Sequence, residues 1–141
     1  MKVMVPVDDS DTSLHAIDWL AQSQPPWASC EVELLNVRSV PEQFPAVSVL
    51  DYEAVERALR EEQQRVLAKA LEHAERRGLK RVTVHVAHGS PAEQIVEAAK
   101  VQGVDQIVMA SHGRGAVGTF LLGSVANQVV HLAPMPVTLV K

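Results

Sequence analysis

Five short runs rich in valine, isoleucine and leucine alternate along this chain with four stretches of helical spacing. The runs are Val3–Val7, Val32–Val37, the alternating Val82, Val84 and Val86, then Gln106–Ala110 and Pro136–Val140. Between them, apolar residues recur at three and four positions, the period of one helix face. Leu14, Ile17, Leu20 and Ala21 mark the first helix. Val55, Ala58, Leu59, Val66, Leu67, Ala70, Leu71 and Ala74 mark a long second one over 51–77. Ile95, Val96, Ala98 and Ala99 mark the third, and Val125, Val129, Val130 and Leu132 the fourth. Strict β-α alternation predicts an open α/β fold. Parallel strands need a crossover between them, and each crossover helix packs back on a sheet covered on both faces.

Local signals support these boundaries. Asp8-Asp9-Ser10-Asp11-Thr12-Ser13 is a cluster of N-cap residues after the first strand. The first helix ends before Pro25-Pro26, and the stretch 38–50, with Pro41 and Pro45 and no period, reads as a loop. Gly78 suits a helix C-terminus. Ser90-Pro91-Ala92-Glu93 predicts a capping box with proline at the first helical position. The charged run from Glu53 to Arg65 mixes both signs and reads as a solvated helix face.

At 141 residues the simplest organisation is one domain, 1–141, with a proper core. A net charge of −4 disfavours duplex DNA and anionic membranes as partners, since both attract basic surfaces. The single cysteine, Cys30, cannot form an intrachain disulfide and reads as a buried structural thiol in a reducing compartment. No apolar run approaches the roughly 20 residues of a membrane span, and the N-terminus runs into a strand rather than a signal peptide. A cytoplasmic protein is expected.

Two strand-to-helix loops carry chemistry. One is Asp8–Ser13. The other follows the fourth strand and contains Gly113, Gly115, Gly118 and Gly123 before Ser124 opens the last helix. Glycines let a backbone approach a ligand, and free amides at a helix N-terminus attract phosphate. In a parallel sheet, ligands bind beyond the carboxyl ends of the strands where the strand order reverses. Both loops serve one crevice if strands one and four are neighbours.

The residues now on the page resemble the universal stress protein family, in its small single-domain form, over the whole chain. The resemblance rests on Val5-Pro-Val-Asp-Asp-Ser10, on Gly89-Ser-Pro-Ala-Glu93, and on Ala110-Ser-His-Gly-Arg-Gly115 with Leu122-Gly-Ser-Val125. ATP-binding members are similar in carrying G-x2-G-x9-G-[S/T]; here nine residues, Arg114 to Leu122, separate Gly113 from Gly123-Ser124. Ala110 stands where that pattern has its first glycine.

The resemblance implies a Rossmann-like, adenine nucleotide alpha hydrolase-like sheet of order 3-2-1-4-5, which makes strands one and four neighbours. It implies a site for ATP, ADP or AMP as a regulatory ligand in stress response, with any Mg²⁺ arriving on the phosphates near Asp8 or Asp9. Pro6, Val7 and Asp8 would contact adenosine, with Asp8 accepting from the ribose hydroxyls. Val37 and Met109 would flank adenine, with Ala110 beside them. Gly113, Gly123, Ser124 and Val125 would hold phosphate, and Arg114 suits it by charge. Purely structural roles stay open: Asp8 as a helix cap, Val37 and Met109 as core, the glycines as a tight turn, Arg114 as an exposed loop residue.

The resemblance also implies a homodimer through the last strand, Val137–Val140. Its apolar edge would otherwise be an exposed template for pairing. No nucleophile elbow, zincin motif or P-loop is present. The acids of Asp8-Asp9-Ser10-Asp11 would repel a pyrophosphate placed as in the S-G-G-x-D-S loop of nucleotide-activating enzymes of this fold. A dedicated enzyme is therefore not expected. The other readings are a dimeric interaction protein, with a protein partner and with Ala110 having abolished nucleotide binding, and a slow ATPase. The histidines His15, His73, His85, His88, His112 and His131 show no metal-ligand spacing; His85 and His88 should point to opposite faces of their strand.

Overall fold

The computed structural model describes residues 1–23, 29–39, 49–112 and 122–141. The elements are β1 (Lys2–Pro6), α1 (Asp11–Gln22), β2 (Glu31–Arg38), α2 (Val49–Arg76), β3 (Val82–His88), α3 (Pro91–Val101), β4 (Gln106–Ala110), α4 (Ser124–Leu132) and β5 (Val137–Val140). All pairings are parallel, and the sheet order is β3-β2-β1-β4-β5. The reversal lies between β1 and β4, as the two-loop argument required.

Alternation along the strands divides the core in two. Val3, Val5, Val32, Leu34 and Val108 face α1 and α2, meeting Ile17, Leu20, Val66, Leu67 and Ala70. Met4, Leu35, Ile107 and Met109 face α3 and α4, meeting Ile95, Val96, Ala99, Ala126 and Val129. The central strands are buried on both faces, which is why they read as unbroken apolar runs. β3 is an edge strand, so its Val84 and Val86 stay 41% and 54% exposed.

Two local expectations fail, the start of α2 and the cap of α3. α2 starts at Val49, inside the stretch read as loop, so Val49 and Leu50 belong to a helix. Its 28 residues span about 42 Å at 1.5 Å per residue, longer than any strand beneath it. The first turns therefore overhang the sheet, and Val55 and Ala58 of the predicted apolar face are exposed. At α3, Ser90 holds the N-cap position but makes no side-chain capping bond. Pro91 removes one amide that would need a partner and presets the helical φ, so the helix starts without the predicted box. The preceding turn needs Gly89, whose φ of +131° is a glycine conformation. Gly78, at φ +86°, ends α2 as expected.

Cys30 is buried, and burial pushes its thiol up from the usual value. Three histidines make long-range pairs: His73 Nε2 meets Asp18 Oδ1 at 2.6 Å, His85 Nε2 meets Glu33 Oε2 at 2.6 Å, and His88 Nε2 meets Gln63 Oε1 at 3.0 Å. His85 and His88 do lie on opposite faces, one against β2 and one against α2. Among the described residues no three His, Cys, Asp or Glu side chains converge as metal ligands. None of the described helices is long and apolar enough to cross a membrane.

Candidate functional site

A cleft of about 780 Å³ opens at the carboxyl ends of the strands. That lies within the roughly 300–1,000 Å³ of small-molecule sites. Pro6, Val7, Asp8, Val37, Met109, Ala110, Gly123, Ser124 and Val125 all line it. Gly113 and Arg114 lie outside the described residues.

The floor is built by strand ends. Val7 N donates to Leu35 O at 2.8 Å, and buried Asn36 donates its Nδ2 to Val7 O at 2.9 Å, fixing the exit of β1 against β2. Met109 is buried on the α3/α4 face, with Val37 packed against the same cluster. Ala110 follows Met109 in an alternating strand and falls on the other face, with Val108. Its methyl is thus directed away from the Met109 side of the cleft.

One wall is the loop after β1. Ser10 N donates to Asp8 Oδ1 at 2.9 Å, and the Ser10 hydroxyl also bonds that oxygen. Ser10, not Asp8, is the N-cap of α1, with its side chain accepting from Ser13 N. Asp8 holds the cap in place through Oδ1, and no bond to Oδ2 is formed among the described residues. Buried Ser13 donates to Asp8 O at 3.0 Å and closes the turn. Thr12 ties this loop to the next, donating from Oγ1 to His112 O at 3.1 Å.

The opposite wall is the start of α4. Gly123 is its N-cap and offers no side chain, so the first amides of the helix lack a side-chain cap. Gly123 N donates to Ser111 O at 2.8 Å, which brings the two ends of the glycine-containing loop together beside β4. Ser111 N in turn donates to Val140 O at 2.7 Å, anchoring that point to β5.

The third wall was not read from the sequence. Arg38, Leu59, Glu62 and Gln63 line the cleft because α2 overhangs the sheet end. Arg38 Nη2 sits 3.2 Å from Glu56 Oε2, a pair that clips β2 to α2. Gln63 is 4% exposed and donates to Ala87 O at 3.4 Å. A signal for Gln63 existed: it stands at helical spacing between Leu59 and Val66, on the apolar stripe. Asn36, a polar residue inside the apolar run of β2, gave a similar hint.

Chemically, the cleft pairs an apolar slot at Val37 and Met109 with an acceptor at Asp8 and donors at the start of α4. It suits a ligand with a flat apolar end, vicinal hydroxyls and an anionic tail.

The universal stress protein family model matches residues 1–141. The chain is 34% identical to universal stress protein MJ0531 of Methanocaldococcus jannaschii, over 99% of this chain and 81% of that protein. Among solved structures, MJ0577 of the same organism superposes with a TM-score of 0.82 at 32% identity, covering 99% of this chain and 94% of that one. Two more share the fold: a universal stress protein in complex with cAMP (TM-score 0.68, 24% identity, 100% and 96% coverage) and one from Archaeoglobus fulgidus in complex with dAMP (TM-score 0.66, 22% identity, 100% and 98% coverage). With its five-stranded sheet, its two loops and a family match along its whole length, the chain belongs to the universal stress protein family.

Proposed function

We propose that this protein binds an adenine nucleotide, ATP or AMP, in the cleft between the β1 and β4 loops, as a regulatory ligand in stress response. The observation that carries the reading is the meeting of three chemistries in one cleft: the Val37/Met109 slot, the Asp8 carboxylate and the uncapped start of α4. Adenine fits the slot, the ribose hydroxyls donate to Asp8 Oδ2, and phosphate meets the amides of Ser124 and Val125 and the exposed Ser124 hydroxyl. Any Mg²⁺ comes with the phosphates, near Asp8 or Asp9. Family structures that hold cAMP and dAMP provide a precedent at the level of the fold.

Ala110 favours this reading over a nucleotide-free interaction protein. Ala110 lines the cleft, and strand alternation sets its methyl on the face of Val108 rather than that of Met109, which is consistent with an open slot beside Met109. In this reading the nucleotide orders the surface between the two loops, and a protein partner in the cytoplasm senses that surface. The chain pairs as a homodimer through β5, whose outer edge is an unpaired ladder among the described strands. Two measurements on purified protein test the proposal: mass spectrometry of small molecules released by denaturation, and calorimetric titration with ATP and AMP. No released nucleotide and no heat of binding would end it.

A further inference from the structure

The sheet has a second edge, β3, and no described strand pairs with its outer side. It is the longer edge, seven residues against the four of β5. Native sheets guard such an edge with a bulge, a proline or a charged side chain. β3 has none of these: its register with β2 is unbroken, and Val82–His88 contains no proline, lysine, arginine or acid.

The backbone and the side chains of this edge point to one line. Val32 N donates to Arg81 O at 2.8 Å, and Gly89 N donates to Arg38 O at 2.9 Å, so the odd-numbered residues of β3 bond β2. In a parallel ladder the residues between them turn their amides and carbonyls the other way. Those residues are Val82, Val84 and Val86. Their side chains share the α2 side of the sheet, where Val82 packs against the α1/α2 core. Val84 and Val86, 41% and 54% exposed, line a groove of about 340 Å³ with Leu67, Ala68 and Leu71 of α2. An incoming strand meets free backbone groups and an apolar groove at the same positions.

Charge marks one end of the groove. Helical spacing carries its α2 wall back from Gln64 to the exposed Arg60 and Arg57, against one exposed acid, Glu61. His88 bonds Gln63, so this arginine end lies beside the C-terminus of β3.

We propose that β3 and the α2 groove take an extended segment of a partner protein, added to the sheet as a further strand. Its aliphatic side chains sit in the groove at alternate positions, and an acidic residue meets Arg57 and Arg60. A second copy of this chain suits the edge less well. With β5 paired in the proposed dimer, pairing of β3 as well would run on as an open fibre. The inference does not depend on the nucleotide reading.

The probes are two short blocked peptides in which valine alternates with threonine, one beginning and one ending with a pair of glutamates. Each is titrated against the full chain by fluorescence anisotropy. One of the two should bind at micromolar concentration, because strand direction decides which end meets the arginines. Val86→Lys, at a residue already more than half exposed, should leave the fold intact and weaken that peptide about tenfold. Replacing its glutamates with lysines should weaken it as well. N-methylation of the peptide amides that face β3 should abolish binding, and the amides of Val84 and Val86 should gain protection from hydrogen exchange in the complex. No binding of either peptide at millimolar concentration overturns the proposal. So does undiminished binding by Val86→Lys or of the N-methylated peptide, which would mark simple apolar adsorption. A wild-type oligomer that Val86→Lys breaks would assign the edge to a second copy and overturns it too.

Discussion

In the proposed reading Asp8 carries two tasks through two oxygens, and substitution can separate them. Oδ1 holds the Ser10 amide at 2.9 Å and the Ser10 hydroxyl, and so supports the cap of α1. Under the proposed function Oδ2 is the oxygen that accepts from ribose. Asp8→Asn keeps an acceptor at Oδ1 and replaces Oδ2 with an NH₂ donor, which faces the ribose hydroxyls with the wrong polarity. Asp8→Ala removes both. The turn is half-buried, so water replaces part of what is lost, and disruption of a cap costs about 1 kcal/mol. For a chain of this length that shifts the Tm by about 3–4 °C, between the values for smaller and larger domains. Asp8→Asn should unfold within about 1 °C of wild type, because the cap bond survives. Binding should behave differently: loss of a charge-assisted bond worth about 1.5–3 kcal/mol lowers ATP affinity about 10- to 100-fold in both variants. The assays are thermal unfolding by circular dichroism and ATP titration by calorimetry. Two results refute the reasoning. Asp8→Asn as unstable as Asp8→Ala would show that Oδ1 does not hold the cap, and Asp8→Asn with wild-type ATP affinity would show that Oδ2 does not read ribose.

Other expectations are independent of that one. Glu33 is 6% exposed and lies 3.6 Å from Lys2 Nζ and 2.6 Å from His85 Nε2, so Lys2→Met with His85→Leu strands its carboxylate. That double variant should lose about 3 kcal/mol in urea unfolding, and adding Glu33→Leu should restore most of it; a triple variant no more stable than the double would show the charges are not coupled. Burial raises the Cys30 pKa, so the folded chain keeps its thiol proton above the pH where the unfolded thiol ionises. That part of the stability is complete below about pH 8.5 and lost as pH rises through the folded value; a Cys30→Ala chain should lose that slope, and an unchanged slope would contradict it. In β5 the carbonyls of Pro136 and Val140 point to β4, so the amides of Val137 and Leu139 face the open edge. Val137→Pro deletes an outward amide at the first strand position, where proline is tolerated; under the proposed β5 pairing it should shift sedimentation from dimer to monomer without unfolding the chain, and unchanged sedimentation would refute that pairing.

How much was legible varies by residue. β4 was placed at its observed bounds because a buried strand flanked by Gly103 and a glycine-containing loop has sharp punctuation. The start of α2 was misplaced because the stretch before it carries two prolines and no apolar period, and its first turns have no core to impose one. In the cleft, the two loops were legible because caps and glycine spacing are local, whereas the strand-end residues Pro6, Val7, Val37 and Met109 came with the family resemblance. The α2 wall was not: Gln63 stands on the apolar stripe between Leu59 and Val66, but that spacing signals burial and not that the helix reaches over the strand ends.

By itself the sequence determined the alternation of elements, the two equipped loops and the placement of most strands, because periodicity, caps and glycine spacing act over a few residues. The order 3-2-1-4-5 came with the family resemblance rather than from periodicity. Only the tertiary structure decided that Ser10 and not Asp8 caps α1, that an overhanging α2 walls the cleft, and that Thr12 ties the β1 loop to the start of the loop after β4. Those outcomes depend on distances between residues far apart in the chain, such as Thr12 and His112, and no local pattern encodes such a distance.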